Sequence, residues 1–208
     1  MKRSMLLAMS IAVTSLVGIA ANAAGQTPLT PPPNQWDHGT KLSVFTGAAM
    51  ASPETRGTFG MSIGWEINHR VELEGAGAWL VGRQGDDAFA AEMKVSGNLT
   101  RPQTVVPFVA AGVGLYHASF DTTRGALPDF YQRRLAGLPI GTLASFNDPS
   151  LVIAGGANFF VGRHFTVRPD VSLRLAINSS DTFPVPMATV YLSYHFEEHN
   201  AAGNRTHR

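Results

Sequence analysis

The chain reads as an all-β protein: an eight-stranded antiparallel up-and-down transmembrane β-barrel preceded by a cleaved signal peptide. Three observations predict it. From Phe165 to Asn178 apolar and polar side chains alternate without a miss, which in a strand gives one oily face and one charged face. That run is somewhat longer than the roughly 9–11 tilted residues that cross a hydrocarbon core, and the same design recurs through the chain. The N-terminus carries an export signal.

The signal comes first. Lys2 and Arg3 precede an apolar run over 5–20, and Ala21-Asn22-Ala23 puts small residues where a signal peptidase reads, so cleavage is expected after Ala23. A transmembrane helix needs about 20 predominantly apolar residues, whereas Ser10, Thr14 and Ser15 interrupt this stretch. The sequence has no cysteine, which leaves neither a lipoprotein anchor at the cleavage site nor a disulfide in an oxidising compartment. Residues 24–40, with Pro28, Pro31, Pro32 and Pro33, read as an extended periplasmic lead-in.

The barrel itself spans 41–196. Its strands are expected at 41–51, 56–68, 69–82, 87–99, 105–121, 150–162, 165–178 and 184–196, and a polar periplasmic tail follows at 197–208. The second strand sets Phe59, Met61, Ile63, Trp65 and Ile67 against Thr58, Gly60, Ser62, Gly64 and Glu66. The third sets Val71, Leu73, Trp79 and Val81 against Glu72 and Glu74, and the fourth opposes Phe89, Met93, Val95 and Leu99 to Glu92, Lys94, Ser96 and Asn98. The last aligns Val190, Leu192, Tyr194 and Phe196 opposite Tyr191, Ser193 and His195. The first and sixth strands are rich in Gly and Ala and alternate less clearly.

Connector lengths give an independent test, because outer-membrane barrels have short periplasmic turns and longer outer loops. The second, fourth and sixth connectors fall at Asn68-His69, 100–104 and Arg163-His164, all short. The third outer connector, 122–149, is the longest.

Alternation alone does not say which face points outward, since a soluble up-and-down barrel such as a lipocalin has the same period. Two features favour lipid outside. The polar face mixes charges with Gly, Ala, Ser and Thr, as a narrow packed interior requires. Aromatics on the apolar face gather at strand ends: Trp65, Phe159, Phe165, Tyr194 and Phe196 towards one rim, Phe59, Trp79 and Phe89 towards the other. Such belts suit membrane interfaces.

Charge excludes other classes. The formal net charge is +1 and falls near neutrality once Lys2 and Arg3 are removed, with no basic patch for nucleic acid. Glu66, Glu72, Glu74, Glu92, Lys94, Arg168, Asp170 and Arg174 all belong to the polar face. A Lys or Arg on the lipid face near the midplane costs roughly 2–4 kcal/mol, so these groups are expected in the lumen. Isolated buried charges are expensive, so they must pair there. A structural plug is the expected role and a narrow ion path or gate the alternative.

Outside the lumen, connector 122–149 is the place for a surface contact. Arg124, Arg133 and Arg134 beside Phe130 and Tyr131 are residue types that meet lipopolysaccharide phosphates or a protein partner, and a short helix fits 129–135. The histidines are scattered, with His69 and His164 at turns and His199 and His207 in the tail, and no pair has metal-site spacing.

Pro107-Phe108-Val109-Ala110-Ala111-Gly112-Val113-Gly114-Leu115-Tyr116 resembles the fifth-strand motif of the bacterial outer-membrane β-barrel domain family, the OmpA/OmpX-like group. The run from Ala154 to Arg163, followed by Phe165-Thr166-Val167-Arg168-Pro169-Asp170, is similar to its sixth and seventh strands. Val190-Tyr191-Leu192-Ser193-Tyr194-His195-Phe196 resembles the assembly signal that closes such barrels. The resemblance implies a monomer in the outer membrane of a Gram-negative-type bacterium. Its partners would be membrane lipid and lipopolysaccharide, with periplasmic chaperones and the barrel-assembly machinery during biogenesis, and no cofactor. The chain departs from many members in continuing past Phe196, and the peptidoglycan-binding domain of larger relatives is absent. Some eight-stranded barrels modify lipid A, one group through His-x-Ser and a carboxylate in the next-to-last strand. That strand has no histidine here, and His117-Ala118-Ser119 lies in the fifth. A structural or surface-interaction role is therefore expected, a small pore is the first alternative and a lipid-modifying enzyme the second.

Overall fold

Every strand pairs antiparallel with its sequence neighbour, and the last pairs with the first. The computed structural model describes residues 39–51, 54–81, 87–101, 104–121, 131, 134, 143–161, 164–178 and 181–196. They form β1 (Thr40–Ala51), β2 (Glu54–Asn68), β3 (Val71–Val81), β4 (Asp87–Asn98), β5 (Val105–Asp121), β6 (Leu143–Phe160), β7 (Phe165–Asn178) and β8 (Asp181–Phe196), closed into one barrel. The expected signal segment, most of the lead-in, the tail, Arg124, Phe130 and Arg133 lie outside the described residues.

The register is staggered. Paired partners step from Ser43 through Ser62, Ala76, Glu92, Gly114, Ser150 and Ala176 to Phe183. Phe183 lies four residues from Met187, the partner of Ala49. It is therefore level with a point four residues past Ala49, ten past Ser43. With a rise of ~3.3 Å per residue and strands ~4.8 Å apart, that stagger tilts the eight strands by about 40° and sets a backbone radius of about 8 Å. An interior of that width is filled by side chains.

Thr40 pairs with both Trp65 and Phe196, so the start of β1 and the end of β8 share one end of the barrel. This is called the near end below, and the opposite one the far end. The alternation resolves as expected. Leu42, Val44, Met61, Ile63, Met93, Val113 and Ile153 are exposed on the outside, Val113 by 60 %, while Lys41, Ser43, Lys94 and Arg168 are buried within. A protein in water has the reverse arrangement; apolar outside and charged inside suits hydrocarbon, where a closed barrel also leaves no backbone group unpaired at an edge. The aromatic belts lie where expected. Phe165, Tyr194 and Phe196 form a chain of ring contacts at the near end (5.3 and 5.0 Å). Phe59, Trp79 and Phe89 form another at the far end (5.8 and 5.0 Å).

Three boundaries need correction. β6 starts at Leu143 rather than 150, β8 at Asp181 rather than 184, and β2 at Glu54 rather than 56. In early β6 the buried set is Ala144 and Asp148, with Phe146 half-buried, against exposed Ser145, Asn147 and Pro149. No apolar-to-polar contrast marks a strand there, although its backbone pairs with β5 as far as Asp121. The far-end connectors 52–53 and 179–180 accordingly shrink to two residues, leaving 122–142 as the long one. Connector length therefore separates the two ends less sharply than the sequence suggests.

Candidate functional site

The lumen has a near half lined by paired charges and a far half lined mostly by apolar side chains, among which Arg56 and Asp148 are also buried. At the near mouth the Nδ1 of His195 lies 3.4 Å from Glu66 Oε1, and its Nε2 lies 2.8 Å from Thr166 Oγ1. Hydroxyl, imidazole and carboxylate in that order can activate a nucleophile. Thr166, however, is only 2 % exposed, which leaves its hydroxyl no open face for a substrate carbonyl.

Above that mouth seven charges alternate in sign across the barrel. Lys41 Nζ on β1 donates to Glu72 Oε2 on β3 at 2.6 Å. Glu72 Oε1 lies 4.0 Å from Arg168 Nη1 on β7, which donates to Glu74 Oε2 on β3 at 2.6 Å. Glu74 Oε1 faces Lys94 Nζ on β4 at 3.2 Å, and Lys94 reaches Glu92 Oε1 at 3.0 Å. Glu92 Oε2 accepts from Arg174 Nη2 on β7 at 2.5 Å. The Arg168 guanidinium also lies over Tyr191, 4.0 Å from the ring centroid. The tilt explains why β3, β4 and β7 can meet: they face one another across an interior only about 8 Å in radius. Glycine makes the room. A Cβ on Gly112 would stand 2.9 Å from the Lys94 stem, and one on Gly64 would stand 2.8 Å from Glu72 Oε1.

Of the eight charges expected inside, Glu72, Glu74, Glu92, Lys94, Arg168 and Arg174 thus join one chain. Glu66 does not; it sits at the near mouth with His195. Asp170 departs from the expectation that all must pair. It is 3 % exposed, and neither carboxylate oxygen has a hydrogen-bond partner. It lies in the field of Lys94 and Arg168 on one hand and of Glu74 and Glu92 on the other. Arg168 Nε and Nη2, Arg174 Nε, Ser62 Oγ and Ser150 Oγ also have no protein partner. Leaving such atoms bare costs about 1–3 kcal/mol each, which together rivals the ~5–15 kcal/mol stability of a whole domain.

Sequence reasoning missed Lys41, because the first strand alternates weakly. Leu42 and Val44 on the lipid face would have turned it inward. Asp148 was missed because β6 begins early, and Tyr191 because a phenol on the polar face reads as filler.

The far half is packed with Ala49, Ala51, Ala78, Leu80, Ala88, Ala90 and Ala118 under a roof of Phe120, Tyr131 and Phe183. Tyr131 and Arg134, both helical in backbone, belong to the long connector. Tyr131 is fully buried, with ring contacts to Phe120, Phe146 and Phe183 at 4.8, 5.1 and 5.7 Å. Its hydroxyl donates to Asp148 Oδ2 at 3.3 Å. Arg134 Nη1 reaches both Asp148 oxygens at 2.7 and 2.9 Å, with its guanidinium over Phe146. This corrects the reading of Tyr131 as a surface contact, since burying its ring against three others outweighs leaving it in solvent; Arg134 pairs with Asp148 and keeps 26 % of its side chain exposed. Burial first, then Tyr116 and Asp148, hold the Tyr131 hydroxyl above the usual phenol range.

His117 and Ser119 share the outward face of β5, and His117 Nδ1 lies 2.8 Å from Asn147 Oδ1. Among the described residues no group of three His, Cys, Asp or Glu could hold a metal ion, and no helix is long and apolar enough to cross a membrane.

Solved structures give the architecture its context. The N-terminal β-barrel domain of Pseudomonas aeruginosa OprF matches with a TM-score of 0.58 at 13 % identity, over 77 % of this chain and 99 % of that one. Neisserial surface protein A matches with a TM-score of 0.56 at 11 % identity, over 76 % and 97 %. The chain has the fold of the eight-stranded outer-membrane barrels. No model of a known protein family matches the sequence, and no curated protein does.

Proposed function

We propose that this is an exported outer-membrane barrel, cleaved after Ala23, with a structural or surface-interaction role and a lumen plugged to ions by its own charges. The near end and the tail 197–208 face the periplasm, and the long connector faces outward. The observation that carries the plug is the unbroken chain from Lys41 to Arg174, which crosses the interior between β1, β3, β4 and β7. A hydrated ion passing it would have to part ion pairs that span the interior at 2.5–4.0 Å, and each parted member would be left buried without its counter-charge.

Arg124, Phe130 and Arg133 are the connector residues that remain for lipopolysaccharide or a protein partner. Outer-membrane lipid, periplasmic chaperones and the assembly machinery are the partners during biogenesis, and the folded protein is a monomer. Purified protein is expected to give no discrete conductance in planar bilayers and to fractionate with outer membranes. Reproducible channels would replace the plug with the second reading, a small pore. That reading draws support from the lumen atoms without protein partners.

A further inference from the structure

The charged section and the far roof block passage in different ways. The first is full of polar atoms that protein groups do not satisfy: both oxygens of Asp170, Arg168 Nε and Nη2, Arg174 Nε, Ser62 Oγ and Ser150 Oγ. Buried polar groups in folded proteins are almost always satisfied, by protein or by water, and a polar site with two to four partners is where internal water settles. The register spreads these atoms along the barrel. Ser62 and Asp170 lie level in the lower half, and Arg174 and Ser150 lie above them. Tyr116, within electrostatic reach of Arg56, Arg174 and Asp148, continues the line towards Asp148. At the bottom Glu66 and His195 keep 15 % of their side chains exposed, so the line opens on the near mouth.

At the top it stops. Phe120, Phe183 and the fully buried Tyr131 close the bore, and Tyr131 is held there through Asp148, which also clamps Arg134.

We propose that the lumen is a hydrated polar column open to the near side, and that Tyr131, Arg134 and Asp148 form a latch at the far mouth that seals it against water. The inference rests on the ion-plug reading and refines it: the charges stop ions, and the latch stops water. Opening the latch makes the barrel a water path that still excludes ions.

The test is osmotic shrinkage of liposomes carrying the full protein, followed by stopped-flow light scattering, with planar-bilayer conductance measured on the same preparations. The wild type is expected to add no water permeability over empty liposomes. Asp148→Ala and Tyr131→Ala should raise it by about tenfold, the effect of lowering one barrier by about 1.4 kcal/mol, with conductance still silent. The exchanged pair Arg134→Asp with Asp148→Arg should restore the seal. Only variants that keep the heat-dependent gel mobility of a folded barrel are scored, and Asp148→Asn supplies a milder change should Asp148→Ala fail to fold. Folded latch variants as tight to water as the wild type would overturn the latch. A wild type that passes ions would instead overturn the plug.

Discussion

Replacing Glu74 with glutamine tests the lumen chemistry most directly. Glu74 is fully buried and stands between two cations, Arg168 at 2.6 Å and Lys94 at 3.2 Å. Removing one member of a buried pair costs about 3–5 kcal/mol, because the partner is left as a buried charge without its counter-charge. Glutamine still offers an oxygen to Arg168, which places the expected loss near ~3 kcal/mol, the low end of that range. Arg168→Met should cost less, since Glu74 keeps Lys94 and Glu72 keeps Lys41. The double variant should show a coupling of about 0.5–3 kcal/mol. Trp65 and Trp79 face the lipid, so their emission reports transfer from lipid to water as urea unfolds the protein from vesicles. With a slope of ~1–3 kcal/mol per molar urea, the Glu74→Gln midpoint should fall by roughly 1–3 M. A fall worth less than ~1 kcal/mol, the value of an exposed pair, would mean that the interior screens charge as bulk water does. The argument for a plug would then fail.

Other predictions follow from the walls. Val113→Arg, in the middle of the lipid face between Met93 and Leu151, should cost about 2–4 kcal/mol, and Val105→Arg near the rim about 0–1 kcal/mol; equal costs in vesicle unfolding would remove the membrane assignment. Gly112→Val drives its Cβ onto the Met93 carbonyl oxygen as well as onto the Lys94 stem. It should lose about 1–3 kcal/mol, seen as a smaller heat-modifiable fraction on gels. Because the Tyr131 hydroxyl titrates above the usual phenol range, its stabilising contribution is complete below about pH 10 and is lost only as pH rises through the higher folded value. Tyr131→Phe should therefore leave the phenolate absorbance of the folded protein unchanged up to roughly pH 11, and a drop in amplitude below that would show an exposed ring.

Alternation exposed most of the barrel because each strand has to satisfy lipid on one side and a crowded interior on the other. Where both demands act, as in β7, residues and bounds were readable from the sequence to the last position. They failed together in early β6, where Pro149, Asn147 and Ser145 face out and Asp148 faces in, so no contrast marks the strand. The site divides in the same way. Six of the eight lumen charges were legible as one cluster because lipid forbids them the other face. Which cation meets which anion was not, since the pairing of Arg168 with Glu74 spans 94 positions and depends on the stagger of the whole ring. Tyr131 carries no periodic signal that would turn a loop aromatic inward; only the hollow beneath Phe120 and Phe183 does so.

The stagger and the closing pair of strands also bear on how the molecule comes into being. Thr40 lies opposite Phe196, and Ser43 donates its hydroxyl proton to Ser193 at 2.8 Å across 150 positions. No subset of strands possesses that seam, and an unclosed sheet would offer two bare edges to the bilayer. The chain must therefore wait, with seven hairpin contacts available, for its final segment before any lipid-stable state exists. Closure entropy grows only slowly with loop length, so the delay lies in finding one register among neighbours that differ by two residues. The alternating charges select it: a slip of that size sets Glu74 beside the wrong cation. The groups that fill the bore in the finished barrel thus act earlier as the key that lets the ring shut in one way.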